Sequence, residues 1–418
     1  MNALLMLLAM AAADLSSVAL AAEDDWTSWR GPNRDGVSAE KGLPTTWSAD
    51  AGVVWKMPLP GPAGSTPVVS KDRIFLTSPS ADGKQILLLC FGTEGKVQWE
   101  RALAKGVADP KNMASASPTT DGVHVWAYSG TGDLVCLKMD GTEVWRSQLQ
   151  EKYGKFKLGF GMTTTPLVHA GAIYVQLIHS GGAWVAALDA SSGKELWKAE
   201  RKSDGVDECE HSYASIQFWP GGVLVSHGND YTIGHDPKDG AELWRLGDLN
   251  PKEKYNKTLR FVSSPLATPD LIVVPTAKGG AVVGLDPRAK GKVDRQNTVH
   301  QKWRLNSGTP DVASPVLYDG IVYLSDSSGA LTAVDASTGA VIYKDRPDKD
   351  NHFASPVAGD GKIYLAGRNG TVSVVEAGRT FKVLSVNKVG DPFDASPAIS
   401  GGRIYLRGSA NLWAIGAK

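Results

Sequence analysis

The sequence predicts an all-β fold, an eight-bladed β-propeller closed by an N-terminal strand that completes the last blade. Three observations support this prediction. One repeat unit recurs eight times, and each copy is long enough for four short strands and their turns. The last copy lacks the phrase that closes the others, and a matching phrase stands near the start of the chain. Large all-β folds often form one domain, so 418 residues do not require a second.

The repeat unit is clearest in residues 313–343. It opens with a small-Ser-Pro step, continues through an apolar strand with period-two alternation, and reaches a second strand that ends at Asp335. A Thr-Gly turn and the aromatic Tyr343 follow. The opening step recurs at intervals of 41 to 51 residues, each time with a hydroxyl residue: Thr66, Ser117, Thr165, Ser215, Ser264, Ser314, Ser355 and Ser396. Proline follows most of these because the first residue of a strand does not need its N–H.

A glycine followed closely by an aromatic residue closes most units. Clear copies end at Trp99, Trp145, Trp197 and Trp244, later ones at Trp303 and Tyr343, and the seventh unit has only Val383 and Leu384 there. Glycine supplies the positive φ of a tight hairpin turn. We expect the ring to pack between adjacent blades, so the recurring tryptophans have a structural rather than a catalytic role.

The two ends of the repeat region complement each other. The eighth unit runs to Ile415 and ends before any closing phrase, whereas the phrase from Gly52 to Trp55 precedes the first unit. A strand in this phrase would complete the last blade and remove both open sheet edges. We therefore assign residues 52–418 to one closed ring of eight blades.

The N-terminus has the pattern of an export signal. An apolar stretch from Ala3 to Ala13 precedes the small-x-small pattern at Ala19 and Ala21, so we expect residues 1–21 to be a signal peptide. Asp14 interrupts the stretch, which argues against a retained membrane helix because about 20 apolar residues are needed to span. There is no cysteine near the cleavage site, so lipid attachment is not indicated. We expect an exported protein, periplasmic or extracellular, with no transmembrane segment in its mature chain.

Residues 22–51 form an arm before the ring. It contains Trp26, Trp29, Arg30 and Arg34 among turn-forming residues, and the two tryptophans need a surface to pack against. We expect the arm to pack across one face or the rim of the propeller as a structural clasp. A binding role for the two arginines is the alternative.

Composition excludes some classes of partner. Lys plus Arg (44) equals Asp plus Glu (44), which gives no reason to expect nucleic acid or an anionic membrane surface as a partner. The three cysteines, Cys90, Cys136 and Cys209, are predicted to be buried thiols, with a disulfide between neighbouring blades as the alternative. We expect a monomer.

The small-Ser-Pro, Gly-x-Ile/Val-Tyr and Asp-x-x-Thr-Gly-x-x-x-Trp phrases resemble the repeat of the pyrroloquinoline quinone (PQQ)-type β-propellers. The resemblance spans residues 52–415 and implies the propeller fold. Its members divide in function: quinoprotein alcohol dehydrogenases hold PQQ and calcium, whereas the outer-membrane β-barrel assembly lipoprotein BamB binds no quinone and acts as a scaffold. This sequence lacks the adjacent-cysteine disulfide of the dehydrogenases, a matching Glu/Asn/Asp calcium set and the lipidated cysteine of BamB.

Polar residues precede several of the opening steps. The segments that lead into the innermost strands of a propeller converge on one end of its channel, where ligands usually lie. The candidate ligand-binding residues of this channel mouth are Asn112, Glu210, His211, Tyr213, Arg260, Asp311, His352 and Asp394. They suit a small anion or a metal, with His211, His352 and Asp311 as donors. The alternative is that they face water or bond backbone amides.

The sequence leaves three functions open. We favour a binding or assembly scaffold that presents loops and strand edges to a protein partner in the cell envelope, without a cofactor. The alternative is a quinoprotein-type alcohol or sugar dehydrogenase with PQQ and calcium. A third is sugar or polyol binding on the aromatic rings of Tyr213, Phe261 and Phe353. The hydroxyls of the opening steps recur eight times, which favours bonds to backbone groups around the channel over a role as nucleophiles.

Overall fold

The computed structural model describes residues 25–417, and their strands form eight sheets around a central channel. Strand β1 (Val53–Pro58) comes first and belongs to the last sheet. The predicted signal peptide lies outside the described residues. Each sheet is one blade, so the predicted eight-bladed, all-β propeller is confirmed.

The strands of the first four blades follow in chain order. Blade 1 contains β2 (Val68–Ser70), β3 (Arg73–Pro79), β4 (Gln85–Gly92) and β5 (Lys96–Lys105). Blade 2 contains β6 (Thr119–Thr120), β7 (His124–Tyr128), β8 (Asp133–Lys138) and β9 (Glu143–Gln148). Blade 3 contains β10 (Leu167–His169), β11 (Ala172–His179), β12 (Gly182–Asp189) and β13 (Glu195–Glu200). Blade 4 contains β14 (Gln217–Trp219), β15 (Val223–Gly228), β16 (Tyr231–His235) and β17 (Glu242–Leu246).

The remaining strands form blades 5 to 8. Blade 5 contains β18 (Leu266–Ala267), β19 (Ile272–Val274), β20 (Val282–Leu285) and β22 (Gln301–Leu305), with β21 (Gly291–Val293) in the connection before β22. Blade 6 contains β23 (Val316–Tyr318), β24 (Ile321–Ser325), β25 (Leu331–Asp335) and β26 (Val341–Asp345). Blade 7 contains β27 (Val357–Gly359), β28 (Lys362–Ala366), β29 (Thr371–Glu376) and β30 (Val383–Lys388). Blade 8 contains β31 (Ala398–Ser400), β32 (Arg403–Arg407) and β33 (Asn411–Ile415).

Helices are few and short, as the sequence predicts. They are α1 (Pro110–Met113), α2 (Leu149–Tyr153) and two 3₁₀ turns, Asp207–Glu210 and Lys252–Lys254. None of the helices that residues 25–417 form has the length and apolar character that a membrane crossing requires.

Strand β1 closes the ring as the fourth strand of blade 8. It pairs antiparallel with β33, so that Trp55 lies opposite Ala414 and Lys56 opposite Trp413. The Lys56 ammonium lies 5.3 Å from the centre of the Trp413 ring, which is almost fully buried. The predicted closure is therefore confirmed, and the closing phrase missing from the eighth unit is the one near the start of the chain.

The glycine of each closing phrase has a second role beyond its positive φ. The Trp145 ring of blade 2 lies against Gly193 in blade 3, where an added Cβ would come within 2.7 Å of the ring. The indole N–H of Trp145 donates to the Ala190 carbonyl of the same turn at 3.0 Å. Trp55, Trp99, Trp197 and Trp303 dock on the next blade in the same way. The predicted packing between blades is confirmed for these five tryptophans, each of which lies over a glycine of the next blade.

One sheet contains a strand that the repeat does not predict. Strand β21 leaves blade 5 and pairs in parallel with β17, which makes blade 4 a five-stranded sheet. The pairing runs from Trp244 opposite Gly291 to Leu246 opposite Val293. Blade 4 therefore has its outer edge covered by a strand from its neighbour.

The arm packs along the bottom face, the face at which the inner strands end. Trp26 pairs with Val69 of blade 1, and Val37 pairs with Ala358 of blade 7. Between them, the buried Arg30 donates to the carbonyls of Pro356 and Pro315, both at 2.8 Å. Arg34 donates to the Val168 carbonyl of blade 3, which stands opposite blade 7 in a ring of eight, so the arm joins blades across the channel. These contacts support the clasp.

The three cysteines are buried free thiols, as predicted. Burial raises the pKa of Cys90 and of Cys136 to about 12. Both side chains therefore remain protonated thiols at neutral pH.

The hydroxyls of the opening steps form a ring around the channel. Seven of the eight, all except Thr66, accept a hydrogen bond from the backbone N–H of the equivalent residue in the preceding blade. This pattern runs from Thr66, whose N–H donates to Ser117 Oγ at 2.9 Å, to Ser355, whose N–H donates to Ser396 Oγ at 3.0 Å. The intermediate bonds measure 2.9 to 3.2 Å. The predicted backbone role of these hydroxyls is confirmed, and we call them the hydroxyl ring.

Replacing one member of the hydroxyl ring is expected to destabilise the fold measurably. Ser264→Ala leaves the buried N–H of Ser215 without its acceptor, and a buried unpaired donor costs about 1–3 kcal/mol. Urea unfolding should show this loss. Ser264→Thr is the control, because threonine occupies the same position in blades 1 and 3, and it should remain near the wild-type value. Equal stabilities of the Ala and Thr variants would contradict the prediction.

Candidate functional site

The central channel is a blind well. The arm closes its lower end, where Trp29 lines the cavity, and its upper end opens at the top face, where the inner strands begin. The cavity has a volume of about 150 Å³. We call it the axial well.

Two rings of side chains form the wall of the axial well. The lower one is the hydroxyl ring. The upper one consists of the residues two positions before each hydroxyl: Gly64, Ser115, Thr163, Tyr213, Val262, Val312, Phe353 and Asp394. Side chains two positions apart in an extended segment point the same way, so the residues between the two rings point away from the channel.

This alternation explains which of the predicted mouth residues reach the axial well. Of the eight, Tyr213 and Asp394 stand two positions before a hydroxyl and line the cavity. His352 and Asp311 stand three positions before and do not. His352 is fully buried and lies 3.3 Å from Ser325 Oγ, and Asp311 accepts from the backbone N–H of Lys278 at 3.1 Å. The position two residues before the hydroxyl therefore distinguishes Tyr213 and Asp394 from the other six predicted residues.

The other predicted residues lie around the mouth rather than in it. Asn112 donates to Asp109 at 2.7 Å on the surface of the α1 segment. Arg260 pairs with Glu208 at 2.7 Å. Burial lowers the pKa of His211, and Glu210 borders a separate cleft between blades 3 and 4.

The predicted metal donors do not come together. Within residues 25–417 no group of three or more His, Cys, Asp and Glu side chains is placed to hold a metal ion. The Nε2 atom of His352 lies 3.6 Å from Asp348 instead. The aromatic platform is also reduced, because Phe261 is buried and stacked on His227 with ring centres 4.3 Å apart. Tyr213 and Phe353 are the members of that set that line the axial well.

Asp394 is held by two basic side chains that the sequence did not single out. Lys111 Nζ and Arg368 Nε each lie 2.8 Å from one of its carboxylate oxygens. The Arg368 guanidinium also covers the Phe353 ring at 4.0 Å from its centre. Lys111 lies in α1, and Arg368 and Asp394 lie in two separate loops, so no local motif indicates the cluster.

On the opposite side of the mouth, Tyr213 and Arg260 share an aromatic neighbour. The Phe160 ring lies 5.9 Å from that of Tyr213, and the Arg260 guanidinium lies 5.3 Å from the centre of Phe160. Burial raises the pKa of Tyr213, which keeps its hydroxyl neutral. The mouth of the axial well is therefore bordered by cations and aromatic rings, and Asp394 is its carboxylate wall residue.

The Asp394 cluster gives a pH-dependent stability. Burial alone would raise the pKa of Asp394, but Lys111 and Arg368 together lower it below the usual value. A carboxylate with a lowered folded-state pKa stabilises the fold above its unfolded pKa, about 3.9, and this contribution is lost as the pH falls through the folded value. Urea unfolding of wild type and Asp394→Asn between pH 6 and pH 3 should show a smaller loss of stability for the variant. Parallel curves would contradict the prediction, and Asp239→Asn on the blade 4 hairpin is the control.

A family profile described as outer membrane protein assembly factor BamB matches residues 89–247 and 130–351. BamB of Yersinia pestis is 25% identical over 266 residues, 61% of this chain, and the match spans 62% of its own length. Quinohemoprotein alcohol dehydrogenase ADH IIB of Pseudomonas putida is 28% identical over 159 residues, 37% of this chain and 21% of that protein.

Structural similarity extends further along the chain. The quinohemoprotein alcohol dehydrogenase of Comamonas testosteroni superposes with a TM-score of 0.73 at 14% identity, covering 96% of this chain and 82% of that one. At this identity the likeness shows the fold alone. The family profile, by contrast, matches well over half of the sequence, and the chain therefore belongs to the family of PQQ-like repeat propellers described as outer membrane protein assembly factor BamB.

Proposed function

We propose that this protein is an exported scaffold that holds an extended segment of a protein partner in the cell envelope against the outer edges of its blades. The observation that supports this is a set of exposed apolar side chains on the outermost strands. Val97 on β5, Leu196 on β13 and Val341 on β26 are each more than half exposed. Each of these strands is the last in its sheet, so one of its sides has no strand beside it.

An uncovered edge strand presents backbone N–H and C=O groups in a row, and an added strand can bond them. Blade 4 shows that this fold accepts such an addition, because β21 already pairs with the edge of β17. Neighbouring apolar side chains would give the added strand a surface to pack on. The uncovered outer strands of other blades can therefore pair with a strand of a partner, as β17 pairs with β21.

The family to which the chain belongs supports a protein of the cell envelope as the partner. The relative from Yersinia pestis is an outer membrane protein assembly factor. The signal pattern in residues 1–21 favours export, and the balanced charge gives no reason to expect nucleic acid. We therefore place the partner among proteins of the envelope.

The test is site-specific photo-crosslinking in the native cell. A photoreactive amino acid at Val97, Leu196 or Val341 should crosslink to a discrete protein. The same residue at Leu243 is the matched control, because it is exposed on an outer strand whose edge β21 covers. In the purified complex, amide hydrogen exchange should slow in β5 or β13. Crosslinks that are absent from the uncovered edges, or equally strong at Leu243, would contradict the proposal.

A quinoprotein-type dehydrogenase with PQQ and calcium is the second candidate, favoured by the match to a quinohemoprotein alcohol dehydrogenase. The residues at the mouth fit calcium poorly. Calcium takes six to eight oxygen ligands, and Asp394 is already paired with Lys111 and Arg368. Calorimetric titration with PQQ plus calcium, and dye-linked alcohol oxidation, distinguish the two: saturable binding with turnover would replace the scaffold proposal.

A further inference from the structure

The hydrogen bonds described above use the oxygens of the hydroxyl ring as acceptors, and they leave open what its O–H groups donate to. Each of its eight side chains is more than nine-tenths buried and lines the axial well. In seven of them the oxygen accepts a backbone N–H from the preceding blade. A hydroxyl has one O–H donor besides its acceptor sites. Because the acceptor side is engaged, the wall of the well carries a circle of O–H donors.

The bonds from the backbone also decide the sign of charge that the ring favours. A hydroxyl oxygen that accepts an N–H is less able to coordinate a cation and is a stronger donor, because hydrogen bonds in a chain polarise one another. An anion on the channel axis would receive these O–H groups. A metal cation there would compete with the amide protons for the same oxygens.

A buried cation lies beside the ring. The three hydrogen bonds of the Arg30 guanidinium go to the carbonyls of Pro356, Pro315 and Asp35, each of them a neutral group. Pro315 and Pro356 directly follow ring members Ser314 and Ser355. The carboxylate of Asp35 attracts this guanidinium from within the arm, and burial raises the pKa of Asp35. A second group of charged side chains lies at the upper end of the axial well, where Lys111 and Arg368 pair with Asp394.

The size of the cavity limits the ligand. Sites for drug-sized molecules usually measure about 300–1,000 Å³. The axial well, at about 150 Å³, is smaller than that range and suits an inorganic ion with a few waters. We infer that the axial well is a binding site for a small inorganic anion, a halide or a tetrahedral oxyanion, held by the O–H groups of the hydroxyl ring above Trp29 and Arg30.

The first test measures stability against anion identity. Urea unfolding of the purified protein is followed in sodium chloride, sulfate or phosphate, each against sodium gluconate at equal ionic strength, since gluconate is too large for the well. At least one small anion should stabilise the fold saturably, raising the folded-to-unfolded ratio about tenfold at ten times its Kd. Which anion acts most strongly identifies the ligand as a halide or an oxyanion. No difference from gluconate with any of the three would overturn the inference.

A matched pair of variants locates the effect. Ser314→Asp keeps an acceptor for the N–H of Ser264 but places a negative charge in the well, whereas Ser314→Asn keeps a neutral acceptor of nearly the same shape. The anion-dependent stabilisation should vanish in Ser314→Asp and persist in Ser314→Asn. Crystals of the wild type soaked in sodium bromide, if chloride acts most strongly, or in sodium selenate, if an oxyanion does, should show an anomalous peak on the channel axis that is absent from Ser314→Asp. A saturable effect that survives in Ser314→Asp, or an axis without the matching anion, would overturn the assignment.

Discussion

A chain that lacks residues 25–58 is expected to lose the cooperative unfolding of the ring. Without β1, blade 8 retains three strands, and β33 is left with an unpaired edge. The Trp413 ring and its neighbours then become exposed, at about 1.5–3 kcal/mol for each large apolar side chain. The total loss should exceed about 5 kcal/mol, which is comparable with the whole stability of a typical domain.

A circular permutant separates the strand from the arm. In the intact protein Gly416 N–H donates to the Gly52 carbonyl at 3.0 Å, so the end of β33 lies beside the start of β1. A chain of residues 60–418 followed directly by residues 52–59 can therefore form this pairing as a hairpin with a short loop. It should recover a cooperative transition by circular dichroism and tryptophan fluorescence, although it also lacks the arm. Equal urea midpoints for the truncated and permuted chains would refute closure by β1 as the main source of stability.

Arg30→Met is expected to destabilise the protein by about 3–5 kcal/mol. The substitution removes the donors to Pro315 and Pro356, and leaves their carbonyls buried against an apolar side chain. Arg30→Lys should recover only part of the loss, because a lysine cannot bridge two carbonyls with a planar fork. The measurement is urea unfolding at neutral pH.

Arg34→Met is the control for Arg30. Arg34 lies in the same arm, but it donates to one carbonyl, that of Val168, at 2.8 Å. Its loss should cost about 1 kcal/mol. If Arg30→Met were no more destabilising than Arg34→Met, the arm would not depend on the buried guanidinium.

Most of the fold could be predicted from the repeat in the sequence. The opening steps, the closing Gly-to-Trp phrases and the strand at Trp55 are each defined by residues close together in the chain. A single sequence therefore shows them. Strand β21 was missed because its pairing with β17 joins two blades and leaves no periodic signal in its three residues. The contacts of Arg30 with blades 6 and 7 were missed for the same reason, since its partners there are backbone carbonyls that any sequence supplies.

The candidate site was predicted less well than the fold. Tyr213 and Asp394 were found in the wall of the well, but the partners of Asp394 come from loops far apart in the chain. His352 was selected for its chemistry without regard to the direction of its side chain, which points into the interior. In an extended segment, side chains two positions apart point the same way, so the direction of a side chain can be inferred from its distance to the opening step. Contacts between blades depend on how the whole ring closes, which no local pattern shows.

Closure by β1 also fixes an order of events in biosynthesis. The ribosome makes β1 before any other strand of the ring, yet its partner β33 is among the last segments to emerge. Until then seven sheets can be complete while the eighth stays open, with its apolar face and strand edges accessible to aggregation. Blade 8 therefore stays open until residues 411–415 are present, and a chain cut before residue 411 has no strand with which β1 can close the ring.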